Sequence, residues 1–427
     1  MLANGLPTRR TRTVIAGALA LGIGVLTALP GSLAAAAAGT ASTRRALSVA
    51  QLRSVLSSSV TQNPGTGGTL AAVSADSRSD AWAVGNYSTA SAPYVPFIAR
   101  WNGTGWKTVP SPDPGLANET SLNGVSALSP TDGWAVGSDT PSPGTDGALI
   151  LHWDGTQWRQ VRGPSADDPE LYAVSAVSAT DAWAVGIYNT NKVRPFIVHW
   201  NGTRWSQVPS PAPGLGAILN AVSAQSARDA WAAGDYATAA SGQLRPFTLH
   251  WNGVRWTDVR SPGPPGLTGD TALLGVSTIG PDDAWAAGYT SSGDGATFLL
   301  HWNGTRWARV CTPNPPQPRP GSGEHLETVL SGVGAISPVD VMATGWYVTI
   351  DKADDTAYTE FTLRWNGRSW TRLPSLTSAS GAQLYGTSAV SAKDVWAVGS
   401  TTPDIGATRT LIQHWDGTHW AKVPSPY

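Results

Sequence analysis

Large and small residues alternate along short stretches of this chain, with the period of β-strands. In Ala81 to Gly85, Trp82 and Val84 fall on one side while Ala81, Ala83 and Gly85 fall on the other. Strand-like runs at Leu70 to Ser74, Pro96 to Trp101 and Trp106 to Val109 complete a group of four, and the group recurs about every 50 residues. A Trp-Asn-Gly or Trp-Asp-Gly phrase, closely followed by another tryptophan, begins at Trp101, Trp153, Trp200, Trp251, Trp302, Trp365 and Trp415. Upstream of each lies Asp-x-Trp, at Asp80, Asp132, Asp181, Asp229, Asp283 and Asp394, with Asp340-Val341-Met342 as the departure. Twenty of the 21 tryptophans occupy three repeat positions, and all five phenylalanines share a fourth. Placement so regular assigns these rings to packing.

The pattern predicts an all-β fold, a seven-bladed β-propeller with four antiparallel strands per blade, over 69–427. Asn-Gly and Asp-Gly between the third and fourth strands suit tight hairpins. Large faces lying on small ones let neighbouring blades pack. The copies begin with a first strand and the last ends after its fourth, so closure is expected to rest on packing.

Composition narrows the function. Charged residues are only 13% and the formal net charge is −1, so no basic field exists to hold nucleic acid. Cys311 is the single cysteine and cannot form an internal disulfide, which leaves stability to the core. No Ser-His-Asp phrase, phosphate loop or HExxH occurs, so neither cofactor nor metal is expected, and the chain is expected to be a monomer.

Arg9, Arg10 and Arg12 precede an apolar stretch from Val14 to Leu29, then Pro30, Gly31 and the alanines Ala34 to Ala38. This reads as a signal peptide over 1–38, followed by a flexible linker over 39–68. General and twin-arginine export both remain open. No later segment is apolar enough to span a bilayer, so the expected location is secreted or cell-surface, without membrane insertion after cleavage.

Connections alternate between two faces of such a ring. The second-to-third connections and the inter-blade links share the face with long, variable loops, where binding residues are expected. Several second strands end there in an aromatic: Tyr87, Tyr188, Tyr236, Tyr289 and Tyr347. Arg194 and Arg245 follow two of them. A ring beside a guanidinium suits the apolar face and the hydroxyls of a sugar, although tyrosines that merely cap blade edges explain the pattern equally. A second cluster, Glu324, His325, Glu327, Asp351, Asp354 and Asp355, falls in a long link and an insertion from Val348 to Tyr358 of the sixth copy. Those carboxylates suit a cation or a polyol, or simply a solvated surface. The aspartates opening each second strand are read as turn makers bonded to backbone N–H groups. The histidines His152, His199, His250, His301 and His414, with Arg100 and Arg364 in the other copies, fill one structural strand position.

The phrase Asp-x-Trp-x-x-Gly, then apolar-x-His-Trp-Asn-Gly-x-x-Trp, is similar to tectonin-type repeats and to bacterial seven-bladed propeller lectins, over about Leu70 to Tyr427. The resemblance implies carbohydrate binding at several equivalent sites. These copies are longer than in those lectins, and no sugar-contacting residue matches one to one. The general shape also resembles kelch and galactose-oxidase propellers, without the kelch Gly-Gly pairs. The leading expectation is a non-catalytic protein binding glycan or another cell-surface polymer. A glycan-active hydrolase or lyase with one site near the sixth blade, and an extracellular protein-interaction scaffold, are the alternatives.

Overall fold

The alternation is realised as strands throughout. The structure, a computed structural model, describes residues 67–426 apart from 90–93, 113–119, 143–144, 239–240, 264–268, 292–295, 318–323, 352–355, 377–380 and 403–406. The signal peptide and nearly all of the linker lie outside the described residues. Gly68, the linker's last residue, already opens the first strand.

Among the described residues twenty-eight strands, β1 to β28 in chain order, follow one another in antiparallel groups of four. In the first group, β1 (Gly68–Ser77), β2 (Asp80–Tyr87), β3 (Val95–Trp101) and β4 (Trp106–Thr108) pair in that order. Among the described residues the hydrogen-bonded sheets number six, one fewer than the seven blades expected. Five have four strands. The sixth has eight, because β18 (Asp283–Thr290) pairs with β21 (His325–Ser337) at Tyr289 and Val329, where both residues pack with Trp346. The first strands of all the groups line the axis. Contacts run from β1 to β5 (Thr120–Ser129), β9 (Glu170–Ser178), β13 (Gly216–Ser226), β17 (Thr271–Gly280), β21, β25 (Ala382–Ser391) and back to β1. They enclose a narrow central cavity of about 170 Å³.

Each large face does lie on the next small one. Trp183 and Val185 of β10 (Asp181–Asn189) form one cluster with Ala230, Ala232, Phe247 and Leu249 of the following group. The Trp183 ring is 4.8 Å from Trp251 and 5.1 Å, edge-on, from Trp256. Trp396 closes the ring in the same way, 5.0 Å from Trp101 and 5.2 Å from Trp106. Hydrogen bonds add to packing at closure, since the Ala75 amide donates to Ser388 Oγ at 3.0 Å and the Gly68 amide to the Thr408 carbonyl at 2.9 Å.

That serine contact recurs. Ser74, Ser126, Ser175, Ser223, Ser277 and Ser388 each accept from a backbone amide of the next group at 2.9 to 3.1 Å. The exception is Gly334, which pairs with Met342, so one copy lacks both the serine and the tryptophan. A Cβ at Gly334 would lie 3.2 Å from Ala389 Cβ, so the serine is lost where the inner strands crowd together. The face of this copy carries Thr344, Thr362 and Glu360 where the third group has Val185, Ile197 and Pro195. Glu360 accepts from the Gln413 amide across the interface, and Thr344 meets Thr387. This inter-blade seam therefore adds polar contacts to the apolar cluster around Met342.

The opening aspartates bond to side chains, which corrects the turn-maker reading. His152, His199, His250, His301 and His414 hydrogen-bond through Nε2 to Asp132, Asp181, Asp229, Asp283 and Asp394 at 2.7 to 2.9 Å. Arg100 and Arg364 donate to Asp80 and Asp340 in the other two copies. Period two explains this, because Asp181 and Trp183 share a face of β10 and His199 stands directly opposite Trp183. The imidazoles also lie 4.1 to 4.4 Å from the buried tryptophans of their own sheets.

In the hairpins, Asn102 Oδ1 accepts from the Thr104 amide and hydroxyl and from the Gly105 amide, with Gly103 at φ 86°. The side-chain oxygen is consumed by the turn, which explains the Asn-Gly-Thr phrase without glycosylation.

Candidate functional site

Where the second strands end, alternation decides which tyrosines can meet a ligand. Tyr87, Tyr188, Tyr236 and Tyr347 lie two residues beyond the glycine of the Asp-x-Trp-x-x-Gly phrase, and each ring rests on a phenylalanine of the next strand at 5.8 to 6.2 Å. All four are half-buried. Tyr289 lies one residue too early. That single step turns it to the opposite face, where it is 7% exposed and packs with Val329 and Trp346. Buried in this way it is no platform, contrary to the expectation that grouped it with the other four.

The two arginines differ in the same way. Arg194 and Arg245 stand directly opposite Tyr188 and Tyr236 in their strand pairs. Arg245 is engaged, donating to the Leu244 and Gly269 carbonyls and to Gln243 Oε1. Arg194 makes no hydrogen bond or ion pair among the described residues. Tyr188 and Arg194 line a groove of about 360 Å³ with Pro195, Gln207, Pro209 and Ser210. The end of β10, the start of β11 (Val193–Trp200) and the exit of β12 (Trp205–Gln207) build it. It presents a ring, a planar cation, an amide and a hydroxyl on rigid strand ends, and its lining holds no carboxylate.

The acidic cluster is only partly gathered. Asp354 and Asp355 lie outside the described residues. The expected loop is largely strand, since β21 begins at His325 and β22 (Asp340–Ile350) pairs with β23 (Thr356–Trp365) as far as Ile350 and Thr356. This places Glu327 within β21, paired with Val348, which in turn pairs with Tyr358. Burial and Glu327 push the Tyr358 hydroxyl up to about 12, and its ring lies 5.3 Å from Trp346. Glu324 is exposed before β21, and Asp351 follows β22. Among the described residues no three of His, Cys, Asp and Glu come together as a cation site.

One buried acid escaped sequence reasoning. Asp235, in β14 (Asp229–Ala237), is 1% exposed and accepts from Asn220 Nδ2 at 3.2 Å. Burial, reinforced by Asp270, pushes its carboxyl up to about 7. Its position, directly after the repeat glycine, is the most variable in the motif: Asn86, Ser138, Ile187, Tyr289, Trp346 and Ser400 fill it elsewhere. Such irregularity was the available signal. Because the folded value lies above the unperturbed 3.8, folding takes up a proton between those two values. The stability linked to this group is fully present below about pH 4 and is lost as pH rises to about 7, on the order of 4 kcal/mol at ~1.4 kcal/mol per pH unit. Asp235→Asn should flatten this decline. Thermal melts from about pH 4 to 8 check it, and equal declines in both proteins would refute the assignment.

No family model matches the chain, and no curated protein matches it. Solved structures similar to it include YCF48 bound to D1 peptide, at 15% identity and TM-score 0.48, covering 80% of this chain and 93% of that one. A protein of unknown function from Dyadobacter fermentans is 10% identical at TM-score 0.45, with 83% and 96% covered. The Aleuria aurantia lectin, described as a six-bladed β-propeller with fucose recognition, is 11% identical at TM-score 0.39, with 85% and 97% covered. Similarity at this level assigns no ligand.

Proposed function

We propose that this chain is an exported, non-catalytic binding protein that holds carbohydrate on the long-loop face of a seven-bladed propeller. Seven blades are counted because the axial ring has seven first strands and the eight-stranded sheet divides at a single bridge. Export rests on the leader from Arg9 to Ala38.

The observation that carries the reading is the groove at Tyr188 and Arg194. Its volume of about 360 Å³ falls within the usual range for small-ligand sites. A half-exposed phenol ring offers a stacking surface for sugar C–H groups, and Gln207 and Ser210 supply directed partners for hydroxyls. A glycan array probed with the mature chain tests this. Binding should fall at least tenfold, about 1.4 kcal/mol, in Tyr188→Ala. Unchanged binding in that variant would remove the groove from the mechanism.

A further inference from the structure

We infer that the ligand of the Tyr188 groove is an acidic sugar, held by its carboxylate on Arg194. The inference deepens the carbohydrate reading and rests on it. The register of the sheets supplies the comparison. Opposite the second-strand position of Tyr188, the other copies carry Val95, Gly147, Arg245, Thr359 and Arg409 where the pairing is described. Arg245 is already saturated by two carbonyls and a side-chain amide. Arg409 faces Thr401, with no ring beside it. Only β10 and β11 join a tyrosine to a guanidinium left without an acceptor among the described residues.

The chemistry of that arrangement is specific. A guanidinium presents a planar fork of donors that matches the two oxygens of a carboxylate, and such pairs are stronger than neutral hydrogen bonds. Nothing in the lining competes, because none of its residues is acidic. The ring of Tyr188 is braced by Phe196, 5.8 Å away, so the stacking surface is fixed before ligand arrives. A neutral sugar would leave the fork unused, whereas a uronic acid satisfies ring, fork and hydroxyl partners together.

The test is calorimetric titration of the mature protein with tri-galacturonic acid, galactotriose and a sulfated galactose trisaccharide. The acid should bind at least tenfold more tightly than the neutral trimer. Arg194→Gln should erase that preference, Arg194→Lys should retain part of it, and Tyr188→Ala should weaken both ligands alike. Melting curves confirm that the substituted chains are folded. Equal affinity for acid and neutral trimers, a preference surviving Arg194→Gln, or a preference for the sulfated sugar would overturn the carboxylate assignment while leaving Tyr188-dependent glycan binding intact. Failure of all three sugars, together with a blank glycan array, would overturn both.

Discussion

Trp183→Ala is expected to destabilise the protein by about 3–5 kcal/mol, the usual range for truncation of a buried aromatic. The ring is 1% exposed and serves two sheets. It stacks against His199 of its own sheet at 4.2 Å and wedges between Trp251 and Trp256 of the next. Burying a tryptophan removes roughly 150–250 Å² from water, with gross stabilisation of about 4–6 kcal/mol as an upper bound. Alanine would leave a cavity bounded by two indoles that cannot both close onto it, because Trp251 is tied through Nε1 to the Ala227 carbonyl at 3.1 Å. Denaturant unfolding of the parent and the variant checks the value. A loss below about 1 kcal/mol would mean that the sheets are held together by something other than these wedges.

The second large effect is expected from the smallest change. Gly186→Ala should cost about 3 kcal/mol or more, the top of the range for overpacking. A Cβ at this position would lie 2.0 Å from the Glu170 carbonyl oxygen and 2.9 Å from Leu171 Cα, both backbone atoms that cannot turn aside. The clash arises because β9 shifts register against β10 at this point, pressing its backbone onto the glycine. Phe196 stands opposite on the other neighbour. Gly85, Gly137, Gly234, Gly288, Gly345 and Gly399 meet the same obstruction at 1.9 to 2.0 Å. Close approach, rather than backbone dihedral, requires glycine here. Soluble yield and chemical denaturation test the expectation, and a variant within about 0.5 kcal/mol of the parent would show that the strands can separate at this contact.

Periodicity made most of the architecture legible. Alternation separates large from small faces without reference to any partner, so the four-strand group and the packing role of Trp183 could be read directly. Hairpins were equally local, since Asn102 and Gly103 close their turn with atoms only a few residues apart. The candidate site was legible only in part. Tyr188 and Arg194 were named from their places at the end of one strand and the start of the next, but the same places in the following copy singled out Tyr236 and Arg245. What separates the pairs is the set of acceptors that Gly269 and Gln243 bring to one guanidinium, and Gly269 arrives from an inter-blade link.

By itself the sequence determined the strand beat, the faces on which the tryptophans sit and the positions at which tyrosines end their strands. Those properties depend on neighbours along the chain, and a period of two records them residue by residue. Tertiary structure alone decided that Val329 is what meets Tyr289, that Asn220 and Asp270 come up against Asp235, that Glu360 meets Gln413 across an inter-blade seam, and that Arg194 finds no acceptor among the described residues. Each of these depends on which distant backbone or side chain arrives alongside when the ring closes, and no local pattern carries that information.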